Sequence, residues 1–256
     1  MIRRHRRILL ATALVEVRGR FAGSVGGLLW VMLGPLLLMT LYALIYAVIF
    51  RVRPPELSEL EYVLYILCGL VPFIGFSEGL QAGTTSLSAN KEILLNTVFP
   101  AELVPLRAVL VSTFSSISGL ALLVIAGGAV GTTSWTMLLL PIVVVLQTMF
   151  LIGLVWVLAL ANLILRDIQQ ILTYLTIILL IASPIAYTPS MIPSLLRPLI
   201  YLNPLSYFVI ATQHLMILGT LPPWDIALIG TALAVGMFLL GHWTFARAKQ
   251  VFFDYA

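Results

Sequence analysis

Between Arg107 and Arg166 the chain runs for 58 residues without a formal charge. No soluble element hides a run of that length. A helix needs about 20 apolar residues to cross about 30 Å of hydrocarbon, and only helices or closed barrels satisfy their backbones there. The run therefore reads as two crossings, 108–129 and 136–164, with the turn supplied by GAVGTTSW at 128–135. The rest of the chain has the same character: 61% of residues are hydrophobic and 9% charged, where a soluble domain carries about a quarter charged. Soluble enzyme folds are excluded, and 256 residues leave room for one membrane domain, 1–256. A net charge of +4, scattered along the chain, gives no footprint for nucleic acid. The lone Cys68 can form no intrachain disulfide.

Four more apolar stretches read as crossings: 28–50, 62–86, 168–187 and 224–245. Before them, Leu10, Leu14, Val17 and Phe21 would share one face of a helix opposite Thr12, Glu16 and Arg20. Residues 4–22 thus read as a basic amphipathic helix in the membrane interface, with a retained signal anchor as the alternative. Between 188 and 223, prolines at 189, 193, 198, 204, 222 and 223 leave two apolar pieces, 190–201 and 205–220. At 1.5 Å per residue these reach only about 18 and 24 Å. A re-entrant helical hairpin fits them better than a seventh crossing at 205–221. Six crossings put both termini on one side. That side then holds eleven basic residues, among them Arg3, Arg18, Lys91, Arg107, Arg166 and Arg247, against Arg51, Arg53 and Arg197 on the other. The bias makes both termini cytoplasmic.

Several chemistries have no residues to carry them. With Lys91 and Lys249 the only lysines, no G-x-x-x-x-G-K phosphate loop exists. His5, His214 and His242 lie far apart, with no ligand spacing for a metal. Glu78 is the clear intramembrane charge. A carboxylate there is expensive, so it reads as a polar pore or interface position, with a structural pair or proton coupling as alternatives.

Ordered segments now resemble one family, the membrane subunit of ABC-2 type exporters that move lipid-linked polysaccharides such as O-antigen, capsule or teichoic acid. They are Arg18, Arg20, Phe21, Ser24, Gly27, Leu29 and Trp30 with Gly34-Pro35; Gly69-Leu70-Val71-Pro72-Phe73; Asn90, Ile93, Phe99, Pro100, Glu102 and Pro105; Arg166-Asp167-Ile168; Ser183-Pro184-Ile185-x-Tyr187; and Asn203-Pro204. The resemblance covers nearly the whole chain. It implies an all-α integral membrane fold, with six transmembrane helices per protomer, an N-terminal amphipathic interface helix, a cytoplasmic coupling helix at 88–98 and an outer re-entrant hairpin at 190–219.

By the same resemblance, the partners are two copies of a separate ABC ATPase subunit, a second copy of this chain and a lipid-linked polysaccharide. Periplasmic or outer-membrane export proteins are further partners open to it. ATP and magnesium belong to the ATPase, so this chain binds no cofactor and is not itself an enzyme. The place implied is the inner, cytoplasmic membrane. Asn90, Lys91, Glu92, Leu94 and Leu95 would couple to the ATPase, and Pro184, Tyr187, Asn203 and Pro204 would form the outer gate. A sugar polymer is polar on its rims and apolar on its C–H faces, which suits amphipathic rings. Trp30, Tyr42, Tyr46, Phe73, Phe76, Tyr174 and Tyr187 are therefore the expected channel set, while each ring singly could equally sit in a lipid belt or the core. Export of small hydrophobic drugs or lipids is the runner-up. A proton-driven transporter has thin support from one carboxylate, and a membrane-integral transferase lacks a polar cluster.

Overall fold

The computed structural model describes residues 15, 24, 26–45, 57–91, 94, 100–188, 191, 193, 195 and 197–255. The interface helix expected at 4–22 lies outside the described residues, apart from Val15. Among the described residues every regular element is a helix. Helix α1 (Trp30–Leu44) follows a 3-10 turn, Gly27–Leu29. Then come α2 (Glu59–Ala89), α3 (Leu103–Val130), a 3-10 turn Trp135–Leu139 leading into α4 (Leu140–Ile164), and α5 (Ile168–Ala182). Two short helices follow, α6 (Arg197–Leu202) and α7 (Pro204–Gln213), the second running on through a π-helical turn, His214–Leu218. Helix α8 (Trp224–Tyr255) ends the described chain.

Four of these are long and apolar enough to cross a membrane: α2, α3, α4 with its entry turn, and α8. Local chemistry sets their ends. Ser58 and Glu61 close a capping box before α2: the Ser58 amide donates to Glu61 Oε2 at 2.8 Å, and the Glu61 amide to Ser58 Oγ at 3.3 Å. Helix α3 begins before Pro105 because proline fits the first turn, where its missing N–H has no partner to lose. It stops at Gly131, whose φ of 89° suits a residue without Cβ. Helix α5 stops at Ser183, which is extended because Pro184 follows it.

Helix α2 is the centre of the bundle, buried from Tyr62 to Leu87 except along one face. Its Gly75, Gly79 and Gly83 recur every fourth residue and form a ridge without side chains. A Cβ at Gly75 would meet Ser116, at Gly79 Ser112, and at Gly83 Val155, so α3 and α4 approach α2 closely. The pairing of Gly75 with Ser116 and of Gly79 with Ser112 makes α3 antiparallel to α2. Gln147 Nε2 on α4 donates to Pro72 O at 3.0 Å, and Asn162 Nδ2 to Ser88 Oγ at 3.3 Å, so α4 runs parallel to α2. Helix α8 runs parallel to α4. A Cβ at Gly153 would strike the Met237 backbone, and one at Gly241 the Gly153 backbone. Beyond that crossing Trp156 packs against Phe238, His242 and Phe245.

This arrangement sorts the chain ends. Ser58, the 131–135 turn, the α6–α7 hairpin and Trp224 lie at one end of the bundle. Lys91, Arg107, Arg166 and Arg247 lie at the other. Trp224 and Trp243, both exposed, are 19 residues apart on α8, about 28 Å along the axis. That matches about 30 Å of hydrocarbon with a tryptophan at each interface. Arg247 lies 4.3 Å over the Trp243 ring at the basic end.

Glycine at the α4–α8 crossing is testable against a glycine in open space on the same helix. No atom approaches a Cβ built at Gly236, so Gly236→Ala is expected to hold or raise stability by up to about 1 kcal/mol. Gly241→Ala pushes into backbone and is expected to cost about 1–3 kcal/mol or more. Thermal unfolding of the two purified variants in detergent checks the contrast.

Candidate functional site

On α2 the face opposite the glycine ridge is polar. Ser77, Glu78, Gln81, Thr85 and Ser88 follow helical spacing, and Glu78, Gln81 and Ser88 are exposed while Ser77 and Thr85 are half-buried. From Ser77 to Ser88 this stripe is about 16 Å long. Its hydroxyl protons are used internally: Thr85 Oγ1 donates to Gln81 O at 3.1 Å and Ser88 Oγ to Thr85 O at 2.8 Å. Gln81 Nε2 lies 3.5 Å from Ser77 Oγ. With its proton committed to the helix, Thr85 Oγ1 offers lone pairs outward, as does Gln81 Oε1, whereas Ser88 Oγ also accepts from Asn162 Nδ2 of α4 at 3.3 Å. Such a surface is costly against lipid and suited to a ligand rich in hydroxyl donors. The sequence exposes Glu78 as a charge, but the stripe emerges only when the glycine ridge fixes the helix rotation.

Among the described residues, the aromatic side chains expected to line a channel lie in different surroundings. Trp30 on α1 and Tyr174 on α5 are exposed. Phe73 and Phe76 are buried within the protomer, and Phe76 stacks on Phe150 with centroids 6.1 Å apart. Tyr187 is half-buried, with its hydroxyl donating to Ile181 O at 3.1 Å. Tyr42 belongs to α1, but its side chain, like all of Tyr46, lies outside the described residues.

At the basic end, Asn90 follows α2 and donates through Nδ2 to Ser86 O at 2.8 Å. Lys91 is exposed, and Leu94, buried, donates its amide to Asn90 O at 3.0 Å. These bonds extend the helical path past Ala89. Glu92 and Leu95 lie outside the described residues.

At the other end, the residues expected to form a gate are brought together by buried amides. Asn203 Oδ1 accepts from the Leu205 amide at 3.0 Å, capping α7, with Pro204 in its first turn. Its Nδ2 donates to Ser183 Oγ at 2.8 Å. Gln213, which sequence reasoning did not single out, donates through Nε2 to Pro184 O at 3.0 Å, Ile185 O at 3.3 Å and Tyr65 O at 3.4 Å. Tyr62 closes the set, with its hydroxyl 2.7 Å from Ala186 O. The segment 183–186, where α5 has ended and its carbonyls are free, is thus fastened to α2 and to the hairpin. Gly69 makes this possible, since a Cβ there would lie 3.0 Å from Val209 and 3.3 Å from the Ile185 backbone. Every residue from Leu205 to Gln213 is buried, so neighbouring helices cover most of α7. The one visible signal was an amide in the middle of an apolar run. Among the described residues no three His, Cys, Asp or Glu side chains gather to hold a metal.

Known proteins place this architecture. The family described as ABC-2 type transporter matches residues 16–217. An O-antigen export system permease protein RfbA from Myxococcus xanthus is 30% identical over 218 residues, 82% of each chain. Two proteins of the same name from Klebsiella pneumoniae are each 27% identical over 209 residues, 80% of this chain and 78% of theirs. A family match over most of the chain, together with relatives aligned along four-fifths of it, establishes that the chain belongs to the ABC-2 type transporter family.

Proposed function

We propose that the chain is the permease subunit of an ATP-driven exporter that moves a lipid-linked polysaccharide, of O-antigen or capsule type, across the cytoplasmic membrane. The observation that carries this reading is its likeness, along about four-fifths of both chains, to proteins named as O-antigen export permeases. The polar stripe on α2 supports it chemically, because oxygen acceptors at helical spacing complement sugar hydroxyls. A small apolar drug would gain nothing from Gln81, Thr85 and Ser88.

In this reading α1 and α5 are the remaining two of six crossings. Each has 15 described helical residues, about 22 Å, so the crossing is completed by flanking chain. Helix α5 buries only Leu172 and Thr176, and α1 exposes Leu33, Leu36, Leu37, Leu41 and Leu44. A second copy of the chain against these open faces would enclose the path, with Trp30 and Tyr174 beside it. The end holding Lys91, Arg107, Arg166 and Arg247 is cytoplasmic by the positive-inside rule, and the α6–α7 hairpin is a re-entrant outer gate. Residues 88–98 form the coupling helix on which two ATPase subunits, carrying ATP and magnesium, act. The chain itself performs no chemistry.

Three outcomes test this with the chain co-expressed with its ATPase and polysaccharide assayed at the cell surface. Gln81→Leu with Thr85→Val removes two hydrogen-bonding groups, at about 0.5–1.5 kcal/mol each. Export is expected to fall about 5- to 150-fold while ATP hydrolysis persists; Tyr42→Ala with Tyr46→Ala is expected to impair export likewise, and Glu78→Gln to retain it. Unchanged export in both double variants, with loss in Glu78→Gln, would replace the sugar path with proton coupling.

Replacing Lys91 and Glu92 together is expected to abolish export with both subunits still in the membrane, read by immunoblot. Normal export from that variant removes the coupling role of 88–98.

Gln213→Leu removes the side-chain donor to the Pro184 and Ile185 carbonyls and is expected to lower stability by about 1–3 kcal/mol. Backbone amides at 185–187 should then exchange hydrogen faster than those of α3, as read by mass spectrometry.

A further inference from the structure

Helices α4 and α8 touch backbone to backbone at Gly153 and Gly241, and toward the hairpin end a cleft opens between them. Helix α7 fills the opening only in part. Above the crossing remains a cleft of about 300 Å3, walled by Ile142 and Leu146 of α4 and by Ala227 and Thr231 of α8, and floored by Phe208 and Ala211 of α7. Its depth is set by Trp135 and Trp224, both exposed at the hairpin-side interface. Ile142 and Leu146 lie seven and eleven residues past Trp135, about 10 and 16 Å deeper. That runs from about a third of the way to the middle of about 30 Å of hydrocarbon. Ile142, Ala227 and Thr231 are exposed, so the mouth opens on the lipid side of both spans.

The cleft offers water nothing. The Thr231 hydroxyl donates to Ala227 O at 2.7 Å, and that of Tyr207, beside the floor, to Tyr201 O at 2.8 Å. Apolar cavities without free polar groups stay dry, and ones of roughly half this size take up benzene-sized guests. An empty cleft would forfeit dispersion contacts along three helices. The geometry points to one occupant: an alkyl chain of a bilayer lipid from the hairpin-side leaflet, inserted between α4 and α8 and held there apart from the lipids that merely surround the protein. The chain would lie against Phe208 and Ala211, so its presence and the position of the hairpin are linked. This goes beyond the export reading and needs no transport to occur.

The test uses the full chain in vesicles of phosphatidylethanolamine and phosphatidylglycerol, doped with phosphatidylglycerol carrying a mid-chain diazirine. After irradiation, adducts are mapped on peptides. Adduct yield at Ile142, Leu146 and Ala227 is expected to exceed severalfold that at Leu239, which is exposed on α8 away from the cleft. Ala227→Phe, which fills the cleft, should abolish the excess and leave Leu239 unchanged; Thr231→Phe at the mouth does the same should the first variant fail to fold. Equal yield at all sites means surrounding lipid only and overturns the assignment. Labelling of Leu239 without labelling of the cleft means that protein covers it, and overturns it too.

Discussion

Burying apolar side chains against one another gives no drive inside a bilayer, where lipid tails are as apolar as leucine; close packing has to supply it. Here the packing is concentrated at glycine. Gly75, Gly79 and Gly83 let α3 and α4 press on α2, and Gly153 with Gly241 does the same for α4 and α8. These contacts settle more than stability. They fix the rotation of α2 and so turn Ser77, Gln81 and Thr85 away from the glycine ridge, with Ser88 at the edge beside Asn162 of α4. They also make α4 and α8 cross at one point and part above it, which creates the wedge that α7 occupies.

The hairpin meets a second requirement. Where α5 breaks at Ser183-Pro184, backbone carbonyls are released at a depth where each unsatisfied group costs several kcal/mol. Asn203, Gln213 and Tyr62 answer that need with donors placed on neighbouring elements. A buried polar network of this kind is stable when complete and fragile when one member is lost. That is a useful property for the proposed outer gate, since small motions of the hairpin translate into discrete loss of bonds.

Hydropathy made α2, α3, α4 and α8 legible, because a run of about 20 apolar residues has few meanings. Proline spacing likewise separated the pieces now seen as Arg197–Leu202 and Pro204–Leu218. What stayed hidden was orientation about each helix axis. A soluble helix declares its buried face by periodicity, whereas α2 is apolar on every side but a narrow stripe. Phe73 and Phe76 therefore read as readily as channel rings as core, and the structure puts both inside the protomer. Gln213 was unreadable for another reason: its partners Tyr65, Pro184 and Ile185 come from two distant segments.

Helices α2, α4 and α8 run parallel, so their like ends gather on the same side of the bundle. Each helix carries about half a positive charge at its N-terminus and half a negative charge at its C-terminus. Three N-termini point toward the hairpin end. The carbonyl ends of α2 and α4 meet the opposite side, and Lys91 and Arg166 each stand two residues beyond one of them. The cations counted toward the proposed cytoplasmic side thus also stand where they offset the negative ends of these two helices.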